Sequence, residues 1–156
     1  MALYYGCEIP EDLYYHPEID FWMRFESNSS AAMGMTDIAQ TLAGKLLSIR
    51  FKSVGKEVKS GRSAATIESS KWVGPFVVPF DAEIVETNEP AFSEDVLIAN
   101  KDPYGRGWLV RVHMSQPEAV RSMLITGQEA VSHFQKKIEE NDIRCFRCAE
   151  DEEFAV

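Results

Sequence analysis

The residues best suited to do chemistry lie in one stretch, Ala64-Ala65-Thr66-Ile67-Glu68-Ser69-Ser70-Lys71-Trp72-Val73-Gly74-Pro75. Two β-rich runs meet there, one ending Thr66-Ile67-Glu68 and the other passing through Phe76-Val77-Val78. The short polar step between them carries a single lysine, which predicts a hairpin with Lys71 at its tip. A primary amine held out in solvent by rigid strands is what a modifying enzyme needs in order to attach a long prosthetic arm. Glu68, three residues before the lysine, adds a charge that such an enzyme can read together with the shape of the turn. An ordinary solvated lysine has the same spacing, since lysine is common at turns and on sheet edges.

The cysteines form the second candidate group. Cys145 and Cys148 stand as Cys-x-x-Cys, a spacing that closes a redox disulfide or supplies half of a zinc site. Zinc needs two further ligands and Cys7 is the one other cysteine, so no metal is expected. Arg144 and Arg147 favour thiolate while the acidic run that follows opposes it. Cys7, Cys145 and Cys148 are therefore candidate redox residues beside the plainer reading of unreactive thiols. His16, His113 and His133 lack metal-ligand spacing and read as surface or packing residues. With no nucleophile elbow, no phosphate-binding glycine loop and no dense set of ligands, the chain reads as a carrier and not an enzyme.

Length and composition bound these readings. A chain of 156 residues suits one domain with its own core, and 45% hydrophobic with 26% charged residues is the balance of a globular protein. A net charge of −9 argues against sequence-independent nucleic-acid or anionic-membrane binding. No apolar run approaches a membrane span, and the start Met1-Ala2-Leu3-Tyr4-Tyr5-Gly6 lacks the basic and apolar regions of a secretory signal. A cytoplasmic protein with retained thiols is expected.

Elements that must position the lysine follow in order. Residues 1 to 19, punctuated by Pro10 and Pro17, read as an extended arm on the domain. Phe21 to Phe25 reads as a first strand, and Ala31 to Met35 as a short second one. Thr36 is suited to cap a brief helix through Leu42, which Gly44 ends. Lys45 to Phe51 is a strand candidate before the tight step Val54 to Val58. Beyond the hairpin, Ser93 is expected to cap a helix through Ala99, and Asp102-Pro103-Tyr104-Gly105 to form a turn. In the strand Trp108 to His113, Trp108, Val110 and Val112 share one face, with Leu109 and Arg111 on the other. Gln116-Pro117-Glu118 opens a helix, and Thr126 to Glu129 has capping-box spacing for another, whose stripe is Val131, Phe134 and Ile138. An acidic tail follows Cys145.

Glu68-Ser69-Ser70-Lys71, followed by Pro75, Pro79 and Glu83 to Glu89, resembles the lipoyl-attachment hairpin of the glycine-cleavage H protein. Gly34-Met35-Thr36-Asp37-Ile38-Ala39-Gln40 resembles that family's Gly-Ile-Thr-x-x-Ala-Gln segment. Asp102 to Leu109 resembles its Asp-Pro-Tyr-Gly-x-Gly-Trp-Leu. Biotin carriers share the hairpin idea but place Met on both sides of the lysine, where this chain has Ser70 and Trp72. The resemblance implies a mainly β fold, the flattened lipoyl-domain barrel-sandwich hybrid, with short helices and a C-terminal helical extension. It implies an arm over 1–19, a lipoyl domain over 20–125, and a helix with a cysteine-containing tail over 126–156, in one globular unit. It also implies lipoic acid on Lys71, with Glu68 recognised by the lipoate ligase or lipoyl transferase that attaches it.

Two departures bear on the cargo. Where the H-protein pattern has His-Glu-Trp, with the histidine facing the lipoyl arm, this chain has Asp20-Phe21-Trp22, and Trp72-Val73-Gly74 replaces a small-residue run after the lysine. The Gly6-Cys7 arm, the Lys71 to Pro75 run and the C-terminal cysteines look more like the lipoate-binding proteins of sulfur-oxidising, heterodisulfide-reductase-like systems. The cargo expected first is sulfur passed to a heterodisulfide-reductase-like complex. The alternative is the aminomethyl group of glycine cleavage, with glycine decarboxylase and aminomethyltransferase as partners. A third reading is an adaptor with an unmodified lysine.

Overall fold

β-branched and small residues in alternation, broken by Gly and Pro turns, commit the middle of the chain to antiparallel strands. The structure is a computed structural model and describes residues 2–148. Its elements are β1 (Ala2–Tyr4), β2 (Cys7–Ile9), β3 (Tyr14–Tyr15), β4 (Phe21–Phe25), β5 (Ser30–Met35), α1 (Asp37–Ala43), β6 (Leu46–Phe51), β7 (Glu57–Val58) and β8 (Arg62–Ser69). There follow β9 (Val73–Val78), β10 (Ala82–Thr87), α2 (Glu89–Glu94), α3 (Ile98–Lys101), β11 (Val110–Met114), α4 (Pro117–Ser122), β12 (Ile125–Thr126) and α5 (Gly127–Glu140). A seven-stranded sheet in the order β12-β3-β4-β5-β11-β10-β7 faces a three-stranded sheet β6-β8-β9. Phe21, Met33 and Val112 of the first sheet and Leu46, Ile67 and Val78 of the second are wholly buried in one shared core. This is the mainly β sandwich with a C-terminal helix that the resemblance implied.

On its other face the large sheet carries a second core, in which Val131, Phe134 and Ile138 of α5 bury against Ile9, Tyr15 and Trp22. The wholly buried Trp22 donates from Nε1 to Pro103 O at 2.9 Å. Its ring crosses the neighbouring strand so closely that a Cβ on Gly34, its register partner, would sit 2.6 Å from Cζ2. Gly34 is thus required by backbone approach to the tryptophan, and not by a turn.

Several sequence expectations need correction. The arm is a hairpin, since Tyr5 and Gly6 adopt φ of 48° and 79° and turn β1 back on β2. β3 then pairs with both β4 and β12, so Phe21–Phe25 is the fourth strand and not the first. Ser93 does not cap a helix. It lies in α2, which begins after Asn88, whose buried amide nitrogen donates to Arg106 O and Trp108 O at 2.8 Å. Thr126 occupies the N-cap of α5 but makes no side-chain cap; its hydroxyl donates instead to Leu13 O at 2.6 Å, tying the helix to the arm. Leu109 and Val110 are both wholly buried, so alternation fails where the chain enters β11 from the turn before it. Among the described residues no helix is long and apolar enough to cross a membrane. The acidic tail from Ala149 lies outside the described residues.

Candidate functional site

Lys71 stands exposed between β8 and β9, whose ladder runs Thr66 opposite Pro75, Ile67 opposite Gly74 and Glu68 opposite Val73. The turn is built by Ser69. Its backbone N–H donates to Trp72 O at 2.7 Å, and its hydroxyl donates to the same carbonyl at 3.0 Å while accepting from Trp72 N at 3.1 Å. A serine satisfying backbone groups two or three residues on is a local device, visible in principle as Ser-Ser before the lysine. Ser70 N donates to Lys45 O at 2.9 Å, which ties the tip to the residue just before β6. Glu68 is exposed and accepts from Ser48 Oγ at 3.0 Å across the sheet.

The lysine stem has a defined course. Gly44, the C-cap of α1, has φ of 79°, and a Cβ there would lie 2.7 Å from Ser70 Oγ and 3.4 Å from Lys71 Cε. The left-handed backbone selects glycine, and its missing side chain leaves room for the stem. Beside Lys71 opens a cleft of about 580 Å³. Ile67, Pro75 and Phe76 of the hairpin form one wall, and Met35, Ala39 and Leu42 another. Glu18 and Asp20 add carboxylates, Asp20 accepting from Lys137 Nζ at 2.5 Å. An apolar channel of this volume that begins at an exposed amine fits an amide-linked hydrocarbon arm ending in sulfur.

α1, the second wall, is held from behind by a polar network. Thr36 caps it, accepting from Ala39 N at 3.1 Å, as the sequence predicts. The buried Asp37 accepts from Glu8 N at 2.9 Å and Gln40 Nε2 at 2.8 Å, and pairs with Arg147 Nε at 3.2 Å. Arg147 also binds the Glu8 carboxylate. Burial alone would lower the guanidinium pKa, but hydrogen bonds and charge from Asp37 and Glu8 outweigh it, so the group stays above its ordinary range and is always charged. Tyr104 donates to Glu8 O at 2.7 Å and accepts from Asp37 N at 2.9 Å; burial raises its phenol, so it remains protonated. Removing one partner of a buried pair strands the other, and Arg147 is itself partly exposed. Arg147→Ala is therefore expected to cost about 2–3 kcal/mol in chemical denaturation; a change below about 0.5 kcal/mol would show the network to be dispensable.

The cysteines do not form the redox pair their spacing predicts. Cys7 is joined by a disulfide to Cys145, with Cα atoms 4.7 Å apart, which also overturns the expectation of retained thiols at these two positions. A Cys-x-x-Cys closes on itself only in a turn. Here the segment runs past the β1–β2 hairpin and α1, with Cys145 N donating to Tyr5 O and Cys148 N to Asn100 O, both at 3.1 Å. The segment is therefore drawn along different parts of the fold at its two cysteines, and Cys148 is buried outside the disulfide. Gln40 Nε2 donates to Phe146 O at 2.8 Å, so the clasped segment also braces α1. His133 Nε2 meets Pro17 O at 2.7 Å and His16 Nδ1 accepts from Glu18 N at 3.0 Å. Among the described residues no three His, Cys, Asp or Glu side chains gather as a metal would require.

Known proteins resemble this chain over most of its length. The family profile described as "Glycine cleavage H-protein" matches residues 13–137. "Glycine cleavage system H protein 2" of Aquifex aeolicus (strain VF5) is 42% identical over 142 residues, 91% of this chain and 88% of that protein. "Glycine cleavage system H protein 3" of the same organism is 44% identical over 148 residues, 93% and 91% of the two chains. "Probable glycine cleavage system H protein 2" of Saccharolobus solfataricus is 42% identical over 149 residues, 94% and 99%. A solved glycine cleavage system H protein from Mycobacterium marinum superposes with a TM-score of 0.67 at 28% identity, covering 86% of this chain and all of that one.

Proposed function

The chain belongs to the glycine cleavage H-protein family, whose members are lipoate-bearing carriers and not enzymes, and on that premise we propose that it is a lipoyl carrier loaded at Lys71. The observation that carries the proposal is the exposed amine on a braced hairpin tip at the mouth of an apolar cleft. Lipoate supplies a strained disulfide that opens to two thiols able to hold a cargo covalently. The chain's own residues do the rest. Ser69 and Ser70 fix the turn, Gly44 leaves room for the stem, and the walls from β9 and α1 offer an apolar surface that excludes water.

A lipoate ligase or lipoyl transferase is the loading partner, and the carrier works in the cytoplasm with it. Glu68 lies opposite Val73, close to the turn, with its carboxylate exposed, and suits recognition by a basic group of that enzyme. A charge-assisted hydrogen bond of ordinary strength makes Glu68→Ala about tenfold slower in a purified ligation assay. An unchanged rate would remove Glu68 from recognition.

For the cargo, the names of the relatives support the aminomethyl group, with glycine decarboxylase and aminomethyltransferase as partners. The cleft adds a physical reason, because the Glu18 carboxylate stands at its rim and suits a protonated amine. A second reading is sulfur cargo delivered to a heterodisulfide-reductase-like complex. It is favoured by Asp20, which occupies the family's histidine position and is held by Lys137, so that no imidazole lines the cleft. Loaded protein mixed with glycine decarboxylase and aminomethyltransferase decides between them. Glycine turnover supports the first; none, together with loading from a persulfide donor, supports the second. Native protein with an unmodified Lys71 would return the chain to the adaptor reading.

A further inference from the structure

Trp72 presents a large aromatic ring beside the hairpin tip. It is the first residue after the modified position, 42% exposed, and lines the cleft beside Lys71. Its ring folds back over β9 so closely that a Cβ on Gly74 would lie 2.2 Å from Cζ2, 2.6 Å from Cε2 and 2.9 Å from Cη2. Such distances exclude any side chain at Gly74 while the ring stays there. The backbone of Trp72 is fixed as firmly, its N–H and carbonyl both bound to the Ser69 hydroxyl. A large aromatic ring is thus seated on bare backbone, one face supported and part of its surface open to the cleft.

We propose that Trp72 is a positioning residue for the Lys71-linked arm, an aromatic wall that retains the sulfur-bearing end in the cleft between transfers. Three features argue for this role over that of an exposed hydrophobe. The Gly74 cradle serves no turn, because Gly74 lies within β9 opposite Ile67 and has no left-handed backbone. The ring borders the same cleft as Lys71, whose stem passes over Gly44 towards the α1 wall. Sulfur also makes favourable contacts with aromatic rings, so tryptophan suits an arm that ends in two sulfurs better than an aliphatic wall would. The remaining tryptophans stand apart. Trp22 is wholly buried and Trp108 lies under Arg111, 4.1 Å from guanidinium carbon to ring centre.

The inference rests on the lipoyl-carrier reading, and its test separates the two. Wild type, Trp72→Phe, Trp72→Ala and Gly74→Ala are lipoylated in vitro, with loading at Lys71 verified by peptide mass, then reduced identically and alkylated with iodoacetamide. Alkylation of the Lys71 peptide is followed in time. Trp72→Ala is expected to react roughly two- to tenfold faster than wild type, towards the rate of free dihydrolipoamide. Gly74→Ala, which displaces the ring without removing it, should shift the same way, and Trp72→Phe should stay within about twofold of wild type. Lipoylation should also change the tryptophan emission of the wild type and leave that of Trp72→Phe unaltered. Equal alkylation rates in wild type and Trp72→Ala, or an emission change that survives in Trp72→Phe, would overturn the role of Trp72 while leaving the carrier reading intact. Absence of lipoylation at Lys71 in all four proteins would overturn both.

Discussion

Lys71→Arg is expected to abolish lipoylation and carrier activity completely while leaving the fold unchanged. Arginine keeps the positive charge at an exposed tip but offers no amine that can form the lipoyl amide. The turn should survive because it is made by the Ser69 hydroxyl and by backbone groups, none of which belongs to the Lys71 side chain. The check has two parts: a melting temperature within about 2 °C of wild type, as expected of an exposed substitution, and no mass increase after incubation with ligase and lipoate. Lipoylation of the arginine variant at the wild-type rate would place the attachment site elsewhere.

The second large effect concerns stability. Cys7→Ser with Cys145→Ser opens a cross-link between residues 138 apart in sequence, and a loop of that size restrains the unfolded chain strongly. A loss of about 3–4 kcal/mol is expected, equivalent to a fall of about 10 °C in Tm for a chain of this length. Wild type treated with dithiothreitol should fall by the same amount, and the double variant should be indifferent to the reductant. The clasped segment braces α1 through Phe146 O and Arg147, so the cleft wall should loosen before the shared core does, readable as faster amide exchange in residues 38–43. Equal melting temperatures with and without reductant would deny the clasp any part in stability.

Much of this was legible in the sequence where local chemistry decides the outcome. Thr36 and Gly44 bound α1 as their types suggest, one by accepting a hydrogen bond and the other by adopting a left-handed backbone. The hairpin around Lys71 was legible because two β-rich runs flank a short polar step, and the stripe of α5 because its apolar spacing is helical. Features settled by distant partners were not. Cys145 lies three residues from Cys148 but bonds to Cys7, a choice made by the arm's hairpin and the course of the C-terminal segment. Asn88 displaced Ser93 as a helix boundary because its amide satisfies two carbonyls some twenty residues away. Gly34 carries no local signal of Trp22, which crosses it from the neighbouring strand.

As a lipoyl carrier the protein is expected to bear lipoate on Lys71, presented by the braced hairpin. The most direct measurement is peptide mass mapping of the protein isolated from its own host, with another lipoyl protein from the same cells as a positive control. A lipoyl modification is expected on the peptide containing Lys71 and on no other lysine. An unmodified Lys71 beside a fully modified control would contradict it.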